Sequence, residues 1–215
     1  MRIISILIIL LMTAPTLSNN LNQIGENQYK IVPNDSWIRV LAYPDGPLRR
    51  FGHHHVISHT AIKGTVKVKS DLSKSTIDLE LKVSDFVVDD ATLRMLEDEN
   101  FQKEVSQKDI NGTRENMLGE KLLNVEQFPL IRVSTEKIDG EIPDFKIETA
   151  ITIKDATYKV VIPANISISD NSLIASGKFE LNQTEIGLVP FSAAGGALTV
   201  RDLLVFKYEI YAALE

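Results

Sequence analysis

All four histidines of the chain fall within seven residues, in the run Phe51-Gly52-His53-His54-His55-Val56-Ile57-Ser58-His59. Neutral imidazole is a ligand for zinc, copper, iron or nickel, and its charge changes near neutral pH. On a strand His53, His55 and His59 share one face and His54 points the other way. His53-x-His55 is a way to present two imidazoles to one metal, with His59 on the same face, and a third and fourth ligand at a fixed place are missing; Asp89, Asp90, Glu97 and Asp202 are the candidate acids. The simpler reading is a strand-end cluster that hydrogen-bonds to loops or to the polar head of a ligand. Asp85, Asp89 and Asp90 raise the same choice, between paired carboxylates with separated pKa values and a helix cap among solvated charges. Arg94 and the pair Arg201-Asp202 fit either a polar rim or ordinary surface ion pairing. There is no G-x-S-x-G elbow and no Gly-rich phosphate loop with a lysine, so no enzyme is expected. With no cysteine in the chain, thiol chemistry and disulfides are excluded.

These residues need a frame, and the frame reads as strands. IKGTVKVK (62–69), TIDLELKVS (76–84), IETAITI (147–153), LIASGKFEL (173–181) and the closing run from Leu204 to Ala212 alternate apolar and polar residues at period two. Segment 158–168 alternates less regularly, with a break expected near Pro163. Turn residues at Ser70-Asp71, Asp139-Gly140, Asp170-Asn171 and Gly195-Gly196 separate the runs. Around eight strands at this spacing predict a mainly all-β protein, an antiparallel sheet that closes or nearly closes into a barrel, which removes exposed edges. Residues 91–123 are richer in helix formers and predict a short helical insert across one end, begun by Asp89 or Asp90 as a cap. Phe86, Phe179, Leu204, Phe206 and Tyr208 are the candidate lining of a cavity. The same alternation would equally describe a filled core.

The 215 residues are enough for one domain with a substantial core. The net charge of −6 argues against nucleic acid as a partner. Arg2 followed by an apolar run from Ile3 to Met12 has the form of a secretory signal peptide over residues 1–18, too short to span a membrane. The mature domain is then 19–215, exported to a periplasm or the extracellular space.

The ordered segments resemble the YceI-like family of exported lipocalin-like barrels, some of which are associated with polyisoprenoid lipids. YKIVPNDSWIRV (29–40) resembles the opening strand, with Asp35-Ser36 in its turn. EQFPLIRVSTEKI (126–138) resembles the aromatic-Pro strand entry, TAITIKDATYKVVIPANI (149–166) the strand–turn–strand unit, and GKFELNQTEIGL (177–188) the Gly-led strand. The element Gly52, His53, His55 and Val56, with PFSAAGGALTVRD (190–202), suggests a distinct branch. The resemblance implies a binding protein for an amphiphilic, isoprenoid-like lipid, its tail among the inward apolar residues and its head at His53, His55, Arg94 or Arg201. No other cofactor is implied, and a homodimer is compatible with it. The alternatives are an envelope protein that uses the His53/His55 cluster for a metal or haem, and a metal-assisted enzyme.

Overall fold

The structure, a computed structural model, describes residues 26–215, so the signal segment lies outside the described residues. Eight antiparallel wall positions follow one another in chain order and close into a barrel. The first is split into β1 (Asn27–Ile31) and β2 (Trp37–Ala42). After a short β3 (Pro44–Asp45), the second is split into β4 (His55–His59) and β5 (Lys63–Val68), and the third into β6 (Thr76–Lys82) and β7 (Val87–Val88). The long strands β8 (Leu130–Glu141), β9 (Asp144–Ile153), β10 (Ala156–Ile168) and β11 (Ser172–Asn182) continue the meander. β12 (Ser192–Ala193) and β13 (Leu198–Val200) form a small separate sheet with β3. The last strand, β14 (Leu203–Leu214), pairs with β11 on one edge and with both β1 and β2 on the other, which removes the free edges.

The breaks have local causes. Between β1 and β2, Pro33 and the left-handed Asn34 (φ 73°) interrupt the ladder. The buried Ser36 hydroxyl restores it, accepting from the Tyr211 N–H at 2.9 Å and donating to the Tyr211 carbonyl at 3.1 Å. Between β6 and β7, a 3₁₀ turn at Val83–Asp85 leaves backbone carbonyls free, and Arg114 donates to those of Ser84 and Phe86.

Arg114 belongs to α2 (Gln107–Leu118), capped by Ser106, whose buried Met117 packs with Leu123, Val83 and Phe86 over one end of the barrel. The shorter α1 (Ala91–Arg94) is capped by Asp90, which accepts from the Leu93 N–H at 3.1 Å. The segment between the helices wraps the outer wall. There Phe101, fully buried, covers Leu41, Val56 and Val205, and Glu97 meets Arg39 and Lys207.

Two sequence expectations move. The turn expected at Asp139-Gly140 falls at Ile142-Pro143, because β8 runs on to Glu141. Pro163 does not break its strand: β10 is continuous through it. β10 pairs with β11 only from Asn165 to Ile168. Before that the two strands part, so the missing N–H of Pro163 faces an unpaired edge and costs no ladder bond. Among the described residues, no helix is long and apolar enough to cross a membrane.

Candidate ligand-binding site

The inward face of β11 carries Leu173, Ala175, Gly177, Phe179 and Leu181; opposite them in register on β14 stand Ala212, Ile210, Tyr208, Phe206 and Leu204. Towards the ends these side chains are buried. One cluster gathers Tyr29, Ile31, Val66, Phe145, Ile166 and Ile210 at one end. The other gathers Leu81, Phe86, Ile151, Val160, Leu181 and Leu188 beneath α2. At mid-height burial is incomplete: Ile38, Leu79, Val133, Ile162, Phe179, Phe206 and Tyr208 point inward and are only half-buried. Protein interiors pack to crystal density, so inward side chains left uncovered at mid-wall require open space beside them. Phe179 and Phe206 stack face to face at 4.9 Å, and Tyr208 meets Phe179 edge-on at 6.4 Å, forming one aromatic wall.

Tyr208 also marks where the barrel opens sideways. Its hydroxyl donates to the Pro163 carbonyl at 2.7 Å, across the point where β10 and β11 part. Gly177 lies between them; a Cβ there would stand 2.8 Å from the Tyr208 hydroxyl and collide with the Pro163 carbonyl. A cavity of about 470 Å³ sits at this fork, lined by Phe145, Pro163, Ala164, Ser176 and Gly177 among others. Burial pushes the Tyr208 phenol above its ordinary value, so it stays a neutral donor.

His53 and His54 sit at the rim just before β4, and His55 and His59 lie on it. His55, Ile57 and His59 face inward, while Val56 and Ser58 face out. Asp89, left-handed (φ 57°) and buried, accepts from the Val56 N–H at 2.9 Å, from Arg94, and from His55 Nδ1 at 2.6 Å. Burial pushes its carboxyl up, and the His55 and Val56 hydrogen bonds with the Arg94 charge outweigh that and hold it below the ordinary range. Arg94 is itself buried and donates further to the carbonyls of His54 and Lys103. His59 is packed on Phe86 at 4.8 Å and donates from Nε2 to the Lys82 carbonyl at 3.1 Å. Its Nδ1 is buried without a partner, and burial lowers its pKa.

The four histidines therefore do not converge. The His53 and His55 rings lie 6.1 Å apart, but His59 is four residues further along the strand, roughly 13 Å at the strand rise. Among the described residues, no three side chains of His, Asp or Glu are placed to hold a metal ion. Of the candidate acids, Asp89 orients His55, Asp90 caps α1, Glu97 pairs on the outer wall, and Asp202 accepts from Thr184. Arg201 is exposed, with its guanidinium over the Tyr43 ring at 5.4 Å, apart from the Asp89 group.

A family model for the YceI-like domain matches residues 29–210, almost the whole described chain. The chain belongs to the YceI-like family. Among solved structures it is similar to BcnA of Burkholderia cenocepacia, with 8% identity, a TM-score of 0.60, and 84% of this chain and 98% of that one covered. It is also similar to a Campylobacter jejuni YCEI protein, with 10% identity, a TM-score of 0.51, and 74% and 84% covered. These likenesses are of fold. A comparison with curated proteins found no match.

Within this YceI-like barrel, the sequence-predicted residues divide into three groups. Phe179, Phe206 and Tyr208 come together on the aromatic wall, with Leu204 buried next to them and Phe86 in the cluster below α2. His55 and Arg94 come together on Asp89, with the His53 ring 6.1 Å from that of His55. Arg201 lies over Tyr43, in neither of these two groups. Ile38, Leu79, Val133 and Ile162 also line the interior, each at an inward position of its strand. Period-two alternation names every inward residue equally, and nothing in it marks those at mid-height.

Proposed function

We propose that this protein is an exported carrier that holds an amphiphilic, isoprenoid-like molecule in the middle of its barrel. The observation that carries the reading is the belt of inward, half-buried apolar side chains between two fully buried clusters. An apolar tail laid against Phe179, Phe206, Ile162 and Leu79 covers surface that the protein leaves open. Each buried CH₂ contributes about 0.8 kcal/mol, so a ten-carbon tail supplies about 8 kcal/mol before ordering costs. The rim histidines His53 and His55 stand where a polar head would emerge, with His55 held in orientation by Asp89. The isoprenoid class comes from the family resemblance, and export from the form of residues 1–18.

The test is titration with an apolar fluorescent probe. Saturable uptake at one probe per barrel, reduced at least tenfold by the space-filling pair Leu79→Trp and Ile162→Trp, is the expected result. Uptake unchanged in a folded double variant would place the probe outside the barrel and overturn the reading.

A further inference from the structure

A second concavity lies on the outside of the same rim. It has a volume of about 440 Å³, within the range of small-molecule sites, and is lined by Arg49, Arg50, Phe51, His53, His54 and Lys103 among others. Two loops build it. The 3₁₀ turn Arg49–Phe51, closed by bonds from Arg49 N to Gly46 O and from Gly52 N to Arg49 O, presents the two arginines side by side. Arg94 ties this loop to the 95–105 segment by donating to the carbonyls of both His54 and Lys103, so floor and wall are held in one geometry.

The charge of the pocket opposes that of the chain. The protein carries a net −6, yet Glu104 is the one acid among the lining residues. Arg49, Arg50 and Lys103 make no ion pair among the described residues. Arg50 instead lies over the Phe51 ring at 4.7 Å, and Lys103 reaches only the Asn100 side-chain oxygen at 3.3 Å. Arg49, Arg50 and Lys103 outnumber the single acid Glu104 around this concavity, and an anion relieves their mutual repulsion. The planar fork of arginine matches the oxygens of a phosphate. The pocket opens on the outer side of the rim, where His54 packs with Tyr43 and Phe101, while the interior begins with His55 and Ile57; His53 and Arg94 stand at the boundary between the two.

We propose that this rim pocket binds the phosphate or pyrophosphate group of a small molecule. The group belongs either to a free anion or to the head of an amphiphile, and the proposal does not depend on what fills the barrel.

The experiment is calorimetric titration of the full protein with inorganic pyrophosphate, decyl phosphate and decanol. Three chains are compared: the parent, Arg50→Glu/Lys103→Glu, and a control with equal charge change at exposed positions outside the pocket, Lys67→Glu/Lys178→Glu. A phosphate probe is expected to bind at one per chain, more weakly at high salt. Binding should fall at least tenfold in the Arg50/Lys103 variant and no more than twofold in the control. Pyrophosphate binding alone assigns the pocket to a free anion, and binding by decyl phosphate but not pyrophosphate assigns it to a head group. Decanol carries no charge and reads the barrel alone. The proposal is overturned if neither phosphate probe saturates at millimolar concentration, if the Arg50/Lys103 variant binds as the parent does, or if the control weakens equally. Circular dichroism of each variant establishes that it is folded.

Discussion

Asp89 and Arg94 are buried together, and between them they satisfy the Val56 N–H, the His55 ring and the carbonyls of His54 and Lys103. Removing one member of a buried pair leaves the other charge without compensation, at a cost of about 3–5 kcal/mol. Arg94→Met should therefore lower unfolding stability by that amount in urea denaturation. Adding Asp89→Asn should cost less than the sum of the two single changes, since the pair acts as a unit. Proton uptake gives a second residue-scale prediction. Burial lowers the pKa of both His54 and His59, so below about pH 6.5 the unfolded chain binds more protons than the folded one. Stability then rises with pH through that window and falls on acidification. Asp89 acts lower: its stabilisation is present above the ordinary carboxyl value of 3.8 and is lost as pH falls beneath it. The thermal midpoint should be flat from pH 8 to 7, drop between 7 and 5, and drop again below 4. His59→Leu should shrink the first drop to the share carried by His54 and leave the second.

At the scale of elements, β10 and β11 pair only from Asn165 onward, and under the proposed function a ligand enters where they part. Among the described residues only the Tyr208–Pro163 hydrogen bond spans the fork, and Gly177 leaves the room for it. Tyr208→Phe removes one hydrogen bond, about 1 kcal/mol, and should speed release of a bound probe in stopped-flow exchange while leaving the fold intact. Gly177→Val puts a branched side chain against the Pro163 carbonyl and should lower the thermal midpoint by more than Tyr208→Phe does. The sequence announces Pro163 as an irregularity and cannot say which kind, because a proline on an unpaired edge and a proline that ends a strand look alike until the neighbouring strand is placed. The His cluster has the same limit. Its spacing puts His53, His55 and His59 on one face, but only the fold shows that Asp89 turns towards His55 while Lys82 and Phe86 take up His59. The doublet Arg49-Arg50 is legible as local charge. Its partner Lys103 is more than fifty residues away and joins it only through Arg94.

For the whole molecule, the barrel is the part most readily read from the chain. Alternation in β5, β6, β9, β11 and β14 is regular enough to fix inward and outward faces, and family membership over 29–210 agrees with it. Hollowness is not legible in the same way, since a filled and an open barrel share one binary pattern and differ in side-chain volume summed over eight strands. The central claim is that the open belt around Phe179, Phe206 and Tyr208 holds an apolar molecule. Native mass spectrometry of the protein, purified gently from its own host, tests this directly. The account predicts an excess mass of up to one amphiphile per chain, released by organic solvent and free of metal. A bare chain that also fails to take up an isoprenoid alcohol added in excess would contradict it.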